Sequence, residues 1–423
     1  MGLHGNAWKL LSDLQTTASS RVKWKGEASQ HFTVHQGIRQ GAKLSPSLYK
    51  AFNNDILNTL EQQRVGVSIG TTFVGAPTVA DDIAILSDTP SDLATALQTI
   101  HNFTKKDRSS INSSKSSVVI FNANPKRTPV AWPMGNDIIP ECEESTHLGI
   151  TRNKKRTQDI NNRISIGRKA LYALMGAGLH GRNGVNPKVS LHMYCTFARP
   201  RVIYGLEVVN LSRKEISQLE NFEIQILRQI QYLPDRCPAL AVYSLLGATP
   251  ISSQIEINAL TLFGSIIRSQ GSIEKEVAVR QLAIKEEESK SWFIYIRKTL
   301  NKYDLPSAYD LLSSPPTRNA WKSAIKEAVN NYWRNEWTLT KSSKNSLRFL
   351  SIQDDPTLKP HLIWDSIDSN PRHVKEAVVK ARLLTGTYTL QANRHKFNQF
   401  EVPPTCKLCH SDPEDRQHFL TQV

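Results

Sequence analysis

Val79-Ala80-Asp81-Asp82-Ile83-Ala84-Ile85-Leu86 sets two adjacent carboxylates between short apolar runs, with Gly75-Ala76-Pro77 just before them. Apolar runs bounded by such a break predict a β-hairpin with the acids at its tip. Adjacent aspartates on a tight turn present hard oxygen ligands. Mg²⁺ suits them, because it favours a few carboxylates plus substrate phosphates over an all-protein cage. Solvated Asp-Asp turns are also common, so the pair alone does not separate a metal site from a surface turn.

The neighbouring segments, taken in order, decide between the two. Gln36-Gly37-Ile38-Arg39-Gln40-Gly41-Ala42-Lys43-Leu44-Ser45-Pro46 precedes the acids, and Ile111-Asn112-Ser113-Ser114-Lys115-Ser116 and His147-Leu148-Gly149 follow them. This series resembles the RQGxxLSP, [FY]-A-D-D, N-x-x-K-[ST] and Y-L-G segments of non-LTR (LINE-type) retrotransposon reverse transcriptases. The likeness extends to Gly2-Leu3-His4-Gly5-Asn6-Ala7-Trp8 with Gly26-Glu27-Ala28-Ser29 on one side, and to Leu227-Arg228-Gln229-Ile230-Gln231-Tyr232-Leu233-Pro234 on the other.

The resemblance implies an RNA-directed DNA polymerase that uses an RNA template, a DNA primer, dNTPs and Mg²⁺ or Mn²⁺. In the family the residue matching Asp81 is a ligand of the two-metal phosphoryl-transfer site, and the one matching Asp82 supports it. Lys115 matches a segment near the departing pyrophosphate, where an ammonium stabilises charge or delivers a proton. It also reads as a solvating lysine in a serine-rich loop. Arg39 and Gln40 match template-contacting positions, as donors to phosphate or base edges, and Gly41 allows close approach of the backbone. Leu148 and Gly149 match the primer-contact turn. Two departures from the family pattern stand out. Val79 replaces the aromatic that usually precedes Ala-Asp-Asp, and the further aspartate that the family carries on an upstream strand has no match here. Asp13 and Glu27, the only carboxylates before Arg39, sit on an expected helix and turn rather than on a palm strand. The expectation is an N-terminally truncated fragment that needs an upstream segment or a partner to complete its palm and has little activity alone. A non-catalytic protein that binds RNA or single-stranded DNA, and a decayed transposon-derived protein, remain as alternatives.

Composition agrees with a polyanion as partner. Lys plus Arg outnumber Asp plus Glu by 53 to 38, a net charge of +15, and each phosphate neutralised releases counterions. Hydrophobic residues make up 39% of the chain and no run has the length of a membrane span, so the expectation is a globular, intracellular protein of nucleus or cytoplasm without membrane contact. Five scattered cysteines (Cys142, Cys195, Cys237, Cys406, Cys409) do not form a secreted disulfide framework.

The expected fold is α+β: a partial palm over residues 1–150, a helical thumb-like region over 151–340, a linker over 341–370, and a basic C-terminal module over 371–423. Val118-Val119-Ile120-Phe121 reads as a strand and Ser47 to Gln62 as a helix. Ser212 and Glu215 form a capping box for a helix ended by Leu233-Pro234. The cations of Arg152 to Lys169 read as a solvated helix face. In the tail, Cys406-Lys407-Leu408-Cys409 and His418 have the spacing of a zinc knuckle, which usually takes four ligands; two reduced thiols are the competing reading. Lys380 to Tyr388 and Asn393 to Phe397 interleave cations with aromatics, as single-stranded nucleic acid requires, although an amphipathic helix looks similar.

Overall fold

The computed structural model describes residues 4–421 except 17, 36, 123–125, 129, 156, 180–183, 353–356 and 399–400. The chain divides into two compact units, Met1–Lys155 and Arg156–Val423. Among the described residues, small sheets are confined to the first unit, and the second is built from helices. No helix among the described residues is long and apolar enough to cross a membrane.

In the first unit the helix Ser45–Gln62 starts with Pro46 in its first turn, where a missing N–H costs nothing. Its residues Asn53, Ile56 and Leu60 recur at helical spacing and are all buried. Ile56 and Leu60 join Val65 and, from the helix Pro90–Lys106, Ala96 and Ile100 in one small core. Leu97, from the same helix, packs with Trp132, Met134 and Ile139 of the hairpin Trp132–Met134/Asp137–Ile139. Every named sheet among the described residues is a two-stranded antiparallel pair. The helix Gly5–Thr16 and the hairpins after it leave Trp8, Leu10, Leu14, Val22, Trp24 and Phe32 exposed.

The expected strand at Val118–Phe121 is corrected to a single bridge. Val118 pairs with Glu141 in parallel, and the chain then turns at Phe121 and Asn122, with Asn122 at φ 54°. Val118 and Ile120 instead pack side-on against the Trp132 cluster.

The helix Arg213–Ile230 has the expected capping box. The Glu215 N–H donates to Ser212 Oγ at 3.3 Å, and the Ser212 N–H donates to Glu215 Oε2 at 2.7 Å. It ends earlier than the proline would require, because Tyr232 turns left-handed at φ 51°. Arg163, expected on a solvated face, is half-buried and donates to the Tyr204 carbonyl at 2.6 Å. Burial lowers its pKa.

Two apolar cores fill the second unit. In one, Phe263, Ile267, Ile325 and Val329 surround Trp321, whose indole N–H donates to the Leu260 carbonyl at 2.9 Å. Gly264 permits this packing: a Cβ there would lie 2.2 Å from Trp321. The other core includes Leu347, Leu350 and Trp364, from the stretch expected as a linker, together with Val374, Ala377, Val378 and Ala381 of the helix Pro371–Leu384. Trp364 Nε1 donates to Gln231 Oε1 at 3.1 Å. Leu347, Leu350 and Trp364 therefore belong to the body of the unit, which does not fit a free spacer at those positions.

Buried within that body, Glu223 is 1% exposed and accepts from Tyr194 Oη and Tyr243 Oη, each at 3.1 Å, and from the Ile251 N–H at 2.6 Å. Burial pushes its pKa up to about 7, against the opposing pull of Arg199 and these donors.

Candidate active site and nucleic-acid interface

Thr78–Val79 pairs with Asp82–Ile83 in the register Thr78 to Ile83 and Val79 to Asp82, which leaves Ala80-Asp81 as a two-residue loop. The ladder continues below the named strands. The Ala84 N–H donates to the Pro77 carbonyl at 3.0 Å, Leu86 to Gly75 at 2.7 Å and Val67 to Leu86 at 3.0 Å. Gly75 and Gly66 let this ladder close up, since a Cβ on Gly66 would meet the Leu86 carbonyl at 2.9 Å. Asp81 and Asp82 are both exposed at its end.

Asn53 holds the turn from behind. Its Nδ2 donates to the Ala80 carbonyl at 3.0 Å, from a side chain only 5% exposed. Ala80 has φ 53°, a conformation disfavoured for a residue with a Cβ. This hydrogen bond thus fixes the backbone immediately before the acids. Sequence reading missed Asn53, although a signal exists: it is a polar residue on the same helical stripe as Ile56 and Leu60.

Arg39, Gln40 and Gly41 lie in an exposed loop, while Gln36 falls outside the described residues. Ser45 anchors that loop by donating from Oγ to the Arg39 carbonyl at 2.5 Å. Gly41 has φ 81° with nothing within 4 Å of where a Cβ would stand, so both its conformation and its open face suit close approach. Lys115 is exposed at the end of the turn Ser113–Lys115, and its N–H donates to Asn112 Oδ1 at 3.2 Å. Leu148 (φ 51°) and Gly149 (φ 72°) form the two-residue loop of the hairpin Glu144–His147/Ile150–Asn153. Positive φ at both central residues is the pattern whose twist matches the strands. Asp81 and Asp82 share a turn, whereas the Arg39 loop, the Lys115 turn and the Leu148 turn are each built by a separate local device.

In the second unit the ligand atoms of Cys406, Cys409 and His418 lie within 4.8 Å of one another. Cys409 Sγ is 3.3 Å from His418 Nε2. The Leu408 N–H points at Cys406 Sγ and the Ser411 N–H at Cys409 Sγ, each at 3.5 Å. Backbone N–H groups of Asp412 and Ser411 lower the Cys409 thiol pKa to about 7, and thiolate is the form that binds metal. His418 Nδ1 is 4.0 Å from Asp412 Oδ2, beyond hydrogen-bond distance. Among the described residues this is the only set of three such ligands brought together, so no third His, Cys or carboxylate joins Asp81 and Asp82.

Residues 6–152 match the reverse transcriptase (RNA-dependent DNA polymerase) family. The acid-tipped hairpin therefore lies inside a reverse transcriptase domain. Its relatives narrow the class. The chain is 22% identical over 403 residues to the Pol polyprotein of the type-2 retrotransposable element R2DM of Drosophila melanogaster, covering 93% of this chain and 35% of that protein. It is 34% identical over 107 residues to the Pol polyprotein of the type-1 element R2 of Popillia japonica, covering 25% of this chain and 15% of the relative. To the RNA-directed DNA polymerase of the mobile element jockey of Drosophila melanogaster it is 25% identical over 222 residues, covering 50% of this chain and 24% of that protein. Residues 6–152 are thus a reverse transcriptase domain of the non-LTR retrotransposon kind. The chain spans about a third or less of the length of these relatives.

Proposed function

We propose that this chain is the part of an RNA-directed DNA polymerase that carries the acidic turn of the metal site, and that it works on an RNA template and a DNA primer with dNTPs. The observation behind this reading is the loop Ala80-Asp81, pinned by Asn53, which presents Asp81 and Asp82 to solvent at the end of a backbone ladder. These two carboxylates would hold a divalent ion, Mg²⁺ or Mn²⁺, and the ion supplies charge stabilisation at the attacking and leaving oxygens. Arg39 and Gln40 donate to the template, and the Leu148-Gly149 turn meets the primer. Lys115 lies near the departing pyrophosphate.

The first unit is the palm portion, the helices of the second are the thumb, and the tail is a knuckle in which Cys406, Cys409 and His418 hold Zn²⁺. Two carboxylates are too few for two cations, so a further aspartate comes from a segment or partner that completes the palm. The same shortage among the described residues favours a second reading for the chain by itself, a nucleic-acid binder without catalysis.

Binding tests the nucleic-acid partner. Fluorescence anisotropy on an RNA template annealed to a DNA primer should give micromolar affinity that weakens about a hundredfold between roughly 50 and 200 mM salt, as expected for about four phosphate contacts. A salt-insensitive or undetectable interaction sinks both readings. For the tail, metal analysis should find one zinc per chain, with Cys406→Ser and His418→Ala releasing it. A chain purified without zinc that melts at the same temperature with and without added zinc would remove the knuckle.

A further inference from the structure

Tyr232 occupies a backbone position that glycine usually takes. Its N–H donates to the Gln229 carbonyl at 3.0 Å, and the Leu233 N–H reaches back to the Arg228 carbonyl at 2.9 Å, closing the helix Arg213–Ile230 through a left-handed residue. A bulky aromatic is strained there, and local strain of this kind concentrates at functional positions. Packing does not explain the choice. Ile230, Gln231 and Leu233 are buried, while Tyr232 is 40% exposed.

Arg382 backs the exposed ring. Its guanidinium carbon lies 4.6 Å from the ring centroid, and its Nε and Nη2 donate to the Tyr232 carbonyl at 2.9 and 2.5 Å. A second pair repeats the arrangement. Arg236 lies 5.9 Å from the ring centroid of Phe397, which is 67% exposed, and Arg236 Nη2 donates to the Thr387 carbonyl at 2.8 Å. The Thr387 N–H in turn donates to the Arg382 carbonyl at 2.9 Å, so both pairs are anchored on one loop. Lys380, Arg394 and Lys396 are exposed on the same segments.

We propose that Tyr232 and Phe397, each backed by an arginine, form a stacking platform for the unpaired bases of a single strand, with Lys380, Arg394 and Lys396 contacting its phosphates. Both guanidinium groups spend donors on backbone carbonyls, which leaves stacking rather than edge recognition as the way bases are held. The platform selects single strands because paired bases cover their own faces, and it is tolerant of sequence because every base has a π-face. The proposal rests on the polymerase reading and adds a site on the second unit for RNA or DNA that is not paired.

The test uses the whole chain and fluorescein-labelled oligo-dT, oligo-rU and a blunt DNA duplex, each of about 20 nucleotides per strand, followed by anisotropy. Tyr232→Gly suits the left-handed backbone, so its melting temperature should equal or exceed that of the unchanged chain. It should bind both single strands roughly five- to tenfold more weakly, with duplex affinity unchanged, and Phe397→Leu should do the same independently. Unchanged single-strand affinity in the double variant, or an equal loss on the duplex, overturns the platform while leaving the polymerase reading intact. Failure of the unchanged chain to bind any of the three oligonucleotides sinks both.

Discussion

Asp81→Ala abolishes primer extension, by on the order of a thousandfold or more, in a polymerase that joins this chain to a strand bearing the further aspartate. On the proposed reading the alanine would take one of the two carboxylates from the acidic turn, and among the described residues no third His, Cys or carboxylate joins Asp81 and Asp82 to replace it. Without that carboxylate a divalent ion would not be held against the triphosphate, and the developing charge would go uncompensated. For the same reason, the chain alone should extend no primer on an RNA template with Mg²⁺ or Mn²⁺. Asp81-dependent extension by the chain alone would show that another group completes the site, and the proposed incompleteness would be wrong. Asn53→Leu offers a finer comparison. It removes the hydrogen bond to the Ala80 carbonyl and leaves both aspartates in place, so loss of activity there reports on the position of the turn.

Glu223→Ala should destabilise the second unit by about 3–5 kcal/mol, because two tyrosine hydroxyls and the Ile251 N–H lose a buried acceptor and a cavity forms. The effect depends on pH. The Glu223 pKa is raised by burial to about 7, above the ordinary 4.5, so the folded state binds its proton more tightly than the unfolded chain does. Its contribution is fully present below about pH 4.5 and is lost as pH rises through about 7, a swing of about 3 kcal/mol. Denaturant melts of the unchanged chain at pH 5 and pH 8 should show this decline, and Glu223→Gln, which cannot titrate, should flatten it. Identical pH slopes in both proteins would mean that Glu223 is not the group responsible.

Local features of the molecule were legible because their causes are local. The Asp81-Asp82 hairpin is specified by a break, two apolar runs and a two-residue loop, all within a dozen positions. The Ser212-Glu215 capping box needs only a three-residue spacing. The helix over Ser47 to Gln62 was legible from its apolar period, although it begins at Ser45. Reading failed where the partner is distant. Val118–Phe121 has the composition of a strand, yet among the described residues it forms a single bridge, Val118 to Glu141, and its Val118 and Ile120 side chains pack against the Trp132 cluster. Residues 341–370 look polar enough for a linker, but Leu347, Leu350 and Trp364 are spaced to reach a core formed by helices far away in sequence.

The sequence by itself determined the order of the motifs, the acidic pair and its turn, the net charge of +15 and the Cys406, Cys409, His418 spacing, since each is a matter of residue identity and short separation. Only the tertiary structure decided that Asn53 holds the acidic turn across 27 residues, and that Arg382 reaches Tyr232 across 150. It also decided that Glu223 is buried among three donors. Such pairings depend on which faces the packed helices present to one another, and local spacing carries no record of that choice.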